Sequence, residues 1–193
     1  MNKEKSRCPW CGADSLYMQY HDTEWGVMSH DDAHLFEMLI LEGAQAGLSW
    51  LTVLRRREGY RQAFAGFDPQ IIARYDDADR KRLQGDSRII RNRLKIESAI
   101  KNSQAVLAIQ EEFGSFDAYL WRFVNGDPII GQYQIMDDVP VFTEEATLLS
   151  KDLKKRGCSF VGPVIIYSFM QSVGMVNDHL VSCFRYHELG GRA

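Results

Sequence analysis

The chain has 193 residues, is 45% hydrophobic and 25% charged, and carries a formal net charge of −3. That length allows one domain with a buried core, or two small lobes. No run approaches the ~20 apolar residues of a membrane span, and the opening MNKEKSRCPWCG lacks the apolar stretch of a secretory leader. Four cysteines without such a leader point to a reducing cytoplasm, where a C-x-x-C reads as a metal motif before a disulfide.

The first segment carries Cys8, Cys11 and His21 among Trp10, Tyr17, Tyr20 and Trp25, a heavy aromatic load for a chain end. Asp31 and Asp32 precede an apolar helix, HLFEMLILEGAQAG, which Gly47 and Ser49 break. A second helix is expected over 50–64. Phe67-Asp68-Pro69 makes a turn that opens a short helix, and 76–83 reads as another. Gly85-Asp86-Ser87 is a turn, with Ser87 or Asp86 as the cap of a long helix. Its apolar positions are Ile89, Ile96, Ala99, Ile100, Val106 and Leu107, and Gly114 ends it. Asp117 is expected to help cap a helix carrying Tyr119, Leu120, Trp121 and Phe123. Residues 127–143 are the least regular stretch and a candidate functional loop. Glu144 to Arg156 is helical and closed by Gly157. Gly162-Pro163 opens the apolar helix VIIYSFMQSVG, and a last helix is expected from Asn177-Asp178 onward. Strand alternation is absent, so the chain reads as all-α with many short helices.

Three constellations carry chemistry. His179 and Cys183 are four apart, which on a helix places them on one face. One soft pair from each chain end would complete a tetrahedral zinc site. Spacing favours Cys8, Cys11, His179 and Cys183, with His21 and His187 as rivals for one position. A thioredoxin-like role for Cys8-Pro9-Trp10-Cys11 lacks its βαβ surroundings.

Glu42 shares a helical face with Leu35, Met38 and Leu39. A carboxylate there must be hydrogen-bonded or carry a desolvation cost of several kcal/mol. It is either a brace between helices or an acceptor on the floor of a pocket. The small residues of GAQAGLSW make room, and Trp50 makes a wall. With Trp10, Tyr17, Tyr20 and Trp25 the set suits a flat aromatic ligand such as a nucleobase. An ordinary aromatic core would claim Trp25 and some of the tyrosines.

The third constellation is electrostatic. From Arg80 to Lys101 there are eight Lys/Arg and two acids, Asp86 and Glu97, inside a chain of negative net charge. A turn leading into a helix N-terminus is a phosphate-binding geometry. Arg88, Arg91, Arg93 and Lys95 add charge there, which would position a nucleic-acid backbone without reading sequence.

On these residues the chain resembles bacterial 3-methyladenine DNA glycosylase I, a family of the helix-hairpin-helix superfamily. The matching strings are YHDTEWGV, LFEMLILEGAQAGLSWLTVLRRREGYRQAF, IIRNR before Lys95-Ile96, LKKRG, FVG, YSFMQSVGMVNDH and the late Cys183. The resemblance implies an all-α fold of two helical lobes whose termini a zinc site joins. It implies one domain over 1–193, a hairpin near 78–100, and clasp segments 8–25 and 176–187. It assigns structural zinc to Cys8, His21, His179 and Cys183, which demotes Cys11. It makes Glu42 the catalytic-site residue that recognises the methylated adenine, with Trp50, Tyr17, Tyr20 and Trp10 around it.

The implied reaction is hydrolysis of the N-glycosidic bond of 3-methyladenine in double-stranded alkylated DNA, the first step of base excision repair. Free 3-methyladenine is the product, and a monomer is the default state. The chain departs from the family pattern at Arg88 and Leu94, where glycines usually stand, and at Ala44. Lys95 and Asp117 have the spacing of the lysine and aspartate that some superfamily members use for a lyase step. The alternative from another class is a zinc-stapled DNA-binding module that excises nothing.

Overall fold

A computed structural model describes residues 5–192, so residues 1–4 and 193 of the expected unit, and with them the start of MNKEKSRCPWCG, lie outside the described residues. Eleven α-helices are present among the described residues. Most start where a short polar side chain takes an otherwise orphaned N–H. Asp14 caps α1 (Ser15–Thr23) through the Tyr17 amide, and Asp31 caps α2 (Asp32–Gln45) through that of Ala33. Ser49 caps α3 (Trp50–Leu54), and α4 follows at Arg57–Ala63. Asp68, with proline next to it, starts α5 (Pro69–Ile72). Asp76 and Asp79 form a reciprocal capping box on α6 (Asp77–Gly85). Asn92 caps the long α7 (Arg93–Phe113), which Gly114 ends at φ 87°. Ser115 caps α8 (Phe116–Trp121) and Thr143 caps α9 (Glu144–Lys155). Then come α10 (Pro163–Ser172) and α11 (Phe184–Glu188).

Helix α2 is buried on every side from Leu35 to Ala44. A helix apolar all round is a core helix, and α3, α7, α8 and α10 pack about it. Helix α7 in turn gathers α5, α6 and α8, while α10 carries α9. The helices therefore gather about α2 and α7, and the chain is all-α as expected apart from two short strands. No helix among the described residues is long and apolar enough to cross a membrane.

The N-terminal segment is fastened to α10. The Gly26 amide donates to the Gln171 carbonyl at 3.0 Å, and the Ser29 amide to that of Val173 at 3.1 Å. Gly174 lies under this crossing at φ 73°, and a side chain there would strike the backbone of Val27 and Met28.

Five sequence expectations change. The helix over 50–64 is two helices, broken at Arg55-Arg56. The bend lets Arg57 turn back onto Glu37 (2.6 Å) and Glu24 (2.7 Å). The long helix starts at Arg93 rather than Ile89, because Asp86 folds a turn on the Arg88 amide (2.9 Å) instead of capping a helix. Ser115, not Asp117, caps α8. His179 and Cys183 are not on a helix. Asn177 lies in β2 (Val176–Asn177), which pairs parallel with β1 (Ile129–Ile130), so two short strands stand where none was expected. The Asn177 side chain then accepts from the His179 amide and donates to the Tyr186 and Leu189 carbonyls, which fixes 178–183 as irregular chain.

Candidate active site and metal centre

Cys8, His21, His179 and Cys183 are buried, and their ligand atoms lie within 4.8 Å of one another. Cys8 Sγ is 3.6 Å from His179 Nδ1, while Cys183 Sγ is 3.5 Å from both His21 Nε2 and His179 Nδ1. Tetrahedral zinc with bonds of ~2.3 Å to sulfur and ~2.0 Å to nitrogen separates neighbouring N and S by about 3.5 Å. The four side chains thus fit a tetrahedral cation.

The other ring nitrogens are engaged, as ligating histidines require. His21 Nδ1 meets Asp22 Oδ1 at 2.8 Å, and His179 Nε2 meets the Trp25 carbonyl at 3.0 Å. The Leu180 amide donates to Cys8 Sγ at 3.4 Å. The two thiols share a hydrogen bond that pushes Cys8 up and Cys183 down, and Cys183 also faces both imidazoles. A negative charge centred on this group is what a divalent cation would satisfy.

Cys11 is outside the cluster; its thiol donates to the Cys8 carbonyl at 3.2 Å. His187 is also outside, with Nδ1 3.1 Å from the Gly191 carbonyl. Spacing favours Cys11 through the C-x-x-C motif, but the Cys11 thiol turns back onto the Cys8 carbonyl instead of joining the cluster. Tertiary structure instead brings His21 in from α1, which spacing offers only as a rival and which the family resemblance assigns.

A cavity of about 180 Å³ lies beside this cluster. Trp10, Tyr17, Tyr20, Trp25 and Trp50 line it, with Glu42 from the last turn of α2. Trp10 lies against Tyr17 and Trp25, both at 4.9 Å between centroids, and Tyr20 is 5.3 Å from Trp50. Trp25 also meets the His179 ring edge-on at 4.5 Å, and Trp10 lies 5.2 Å from His21. Two walls of the cavity therefore rest directly on the metal-ligand set.

Glu42 makes no hydrogen bond or ion pair with any described residue, and its Oε2 is buried without a protein partner. It is 4% exposed, and burial alone pushes its carboxyl up to about 8. Glu37, five residues earlier on α2, is the contrasting case. Burial tends to raise its carboxyl, but Arg57 and then Arg61 hold it below the usual range. Glu37 is the brace between helices, and Glu42 is the acceptor without a donor. The indole Nε1 atoms of Trp10 and Trp50 are likewise buried without partners. Burial, and then the nearby Glu42, pushes both Tyr17 and Tyr20 up.

Sequence reasoning missed half of the lining. Gln45, Met136, Val139, Ser168, Gln171 and Asp178 complete the cavity. Met136 and Val139 come from the loop flagged as functional but assigned no residue. The Asp178 carboxylate accepts from Tyr167 Oη (2.5 Å) and Gln171 Nε2 (2.9 Å), and burial raises its pKa. Its position next to the ligand His179 was the available signal.

The basic segment forms a hairpin of α6, a turn over 86–92, and α7. Arg88, Arg91 and Arg93 are exposed. Arg88 bonds Asp86 and Gln62, and Arg93 pairs with Glu97 at 2.8 Å. Arg91 makes no ion pair among the described residues. Lys95 points inward, its ammonium donating to the Ala44 and Ala46 carbonyls, each at 2.7 Å. Neither Arg88 nor Leu94 has a positive φ, so the turn does not need the family's glycines there. Close approach is instead provided by Gly59 on α4, where a Cβ would lie 2.7 Å from the Arg88 carbonyl oxygen. Lys95 and Asp117 hold separate partners, Asp117 being 2.8 Å from His30 Nδ1.

The methyladenine glycosylase family profile matches residues 10–186. DNA-3-methyladenine glycosylase 1 of Escherichia coli K12 is 48% identical over 180 residues, which cover 93% of this chain and 96% of that protein. A crystal structure of a 3-methyladenine DNA glycosylase I superposes with a TM-score of 0.91 at 50% identity, covering 93% of this chain and 98% of that one. A tyrosine-to-phenylalanine variant of such an enzyme in complex with 3-methyladenine superposes with a TM-score of 0.90 at 39% identity, covering 92% and 96%. Profile, identity and fold agree over nearly the whole length, and the chain belongs to the methyladenine glycosylase family.

Proposed function

We propose that the chain is a monofunctional DNA-3-methyladenine glycosylase, that its cavity takes the extruded base, and that Glu42 reads that base. The observation that carries this reading is the unpartnered Glu42 carboxylate on the floor of an aromatic cavity. A buried acceptor left without a donor is costly. Donors on an adenine edge, its exocyclic amine among them, supply what the protein does not. Trp50, Tyr17, Tyr20 and Trp10 wall the ring, with Tyr20 and Trp50 side by side at 5.3 Å between centroids rather than on its two faces.

Methylation at N3 makes the base cationic and a good leaving group. The glycosidic bond breaks with its electron pair passing to the base, which becomes neutral 3-methyladenine. Positive charge then rests on the sugar carbon. Water adds its oxygen there and loses a proton to solvent, leaving an abasic site. The chain has little protonation to perform. Glu42 supplies recognition and, when ionised, electrostatic stabilisation of the positive sugar. Flipping costs a few kcal/mol, and less for a poorly stacked damaged base. Normal adenine is spared mainly because its bond is not activated.

The four-residue cluster holds zinc in this reading, chosen for its two thiolates and two imidazoles in tetrahedral array. With all four positions filled by protein the ion is structural, a clasp joining segments 8–25 and 176–187. Residues 78–100 form the DNA-gripping hairpin, with Arg88, Arg91 and Arg93 toward phosphates. The whole of 1–193 acts as one domain, as a monomer in the cytoplasm, on double-stranded alkylated DNA.

Incubation with N-methylated duplex DNA tests the reading. Release of free 3-methyladenine is the expected result. Tight binding of the DNA with no base released would assign the chain to a zinc-stapled binding module instead. A borohydride-trapped covalent link to DNA would replace the hydrolytic mechanism with a lyase.

A further inference from the structure

Helix α2 ends three residues after Glu42, and a short turn then leads to Trp50. The carbonyls of that ending can be followed one by one. The Gly43 carbonyl accepts from the Ala46 amide, and that of Gln45 from the Leu48 amide at 2.7 Å. The carbonyls of Ala44 and Ala46 receive Lys95 Nζ, both at 2.7 Å. Two groups that no local amide satisfies are thus held by one side chain from the first turn of α7, the second helix of the hairpin. The Lys95 stem lies in the wall it shares with Ile40, Ala44, Tyr60, Phe64 and Ile90. A cation at a helix C-terminus also opposes the negative end of the α2 dipole.

We propose that Lys95 is a positioning residue: it ties the DNA-gripping hairpin to the end of α2 and so sets Glu42 and Trp50 against the flipped base, rather than contacting a phosphate. The inference rests on the reading of the cavity given above. An ammonium with two of its three donors spent on carbonyls has little left for DNA, and burial lowers its pKa from the solvated value. The segment between the two tied carbonyls and Trp50 contains Gly47 at φ 76° and is exposed from Gly47 to Ser49. Among the described residues, the hydrogen bonds that join the hairpin to the path from Glu42 to the indole wall are the two made by Lys95. The consequence is a geometric link between grip and pocket, carried by two hydrogen bonds.

The test compares wild type with Lys95→Met and Lys95→Arg, using Arg91→Met as the reference for a lost phosphate contact. Three quantities are read: the salt dependence of DNA binding, kcat and KM for base release, and quenching of tryptophan fluorescence by free 3-methyladenine. Arg91→Met should flatten the salt slope by about 0.9. Lys95→Met should leave the slope and KM near wild type while kcat and free-base affinity fall about 10- to 100-fold. Lys95→Arg keeps the charge but brings a longer, planar head to a place where a single nitrogen meets both carbonyls at 2.7 Å, so it should fall in the same way. The proposal is overturned if Lys95→Met flattens the slope like Arg91→Met and keeps free-base affinity, or if Lys95→Arg retains wild-type kcat. Should Lys95→Met not fold, Lys95→Arg decides alone. If wild type releases no base, the cavity reading fails by itself, and the free-base arm still reports on the tie.

Discussion

Glu42 and Glu37 show how little a residue's type fixes its role. Both are buried glutamates on α2, yet one is held by two arginines and the other by nothing. The difference should appear in stability. The Glu42 carboxyl is raised from 4.5 to about 8, so between those values the folded chain holds a proton that the unfolded chain has lost. Stability therefore falls as pH rises through that window. Glu42→Gln removes the term, and should be more stable than wild type at pH 8.5 by at most about 5 kcal/mol, and nearly equal at pH 4. Urea denaturation at both pH values measures it; a pH-independent difference would mean that Glu42 is not buried uncharged. Helical periodicity places Glu42 on an apolar face, but Arg57 and Arg61 reach Glu37 across 20 and 24 residues, and no pattern local to α2 distinguishes the two acids.

Elements were legible where one cap or breaker decided them. Asp68-Pro69, Asp76, Gly114 and Gly162-Pro163 all act in place. Elements were missed where a long-range partner decided them. Arg57 bends the chain after α3 to reach Glu24 and Glu37, and the Asn177 side chain unravels the expected last helix. The short α1, with His21 and both pocket tyrosines, shows in the sequence as an aromatic segment with candidate metal ligands rather than as a helix. The hairpin gives an element-level prediction. Gly59→Ala on α4 would press a methyl against the Arg88 backbone, which cannot swing aside. A loss of about 1–3 kcal/mol is expected, with weaker DNA binding because the turn over 86–92 must shift. Asn92→Ala should cost about 1 kcal/mol through its lost cap on α7, without displacing the turn. Denaturation midpoints and DNA titrations separate the two variants; equal DNA affinity in both would remove Gly59 from any role in shaping the grip.

Across the whole molecule, the segments that carry Cys8 and His21 and those that carry His179 and Cys183 meet beside the cavity, and Trp10 and Trp25 touch both cluster and cavity. The Cys2His2 cluster therefore touches the pocket walls, and the proposed clasp would act on the pocket mechanically without entering its chemistry. Cys183→Ser should lose bound zinc, lower Tm and weaken 3-methyladenine binding, while Cys11→Ser should keep one zinc per chain. Metal analysis of both proteins checks this, and zinc lost from Cys11→Ser would return Cys11 to the ligand set. Spacing alone leads to Cys11 because it reads C-x-x-C as a chelating pair, whereas the Cys11 thiol bonds the Cys8 carbonyl and His21 takes the fourth place in the cluster. The family strings led to His21, but neither spacing nor resemblance led to Asp178, Gln171 or Met136, which only the packing of α10 and the 127–143 loop brings to the cavity.

The most direct measurement is calorimetric titration of free 3-methyladenine into wild type and Glu42→Gln. If Glu42 reads the base, wild type binds, and the variant binds about 10- to 100-fold more weakly, the range expected for a charged hydrogen bond. Equal affinity in the two proteins would show that the buried carboxylate is not the acceptor, and would contradict the account at its centre.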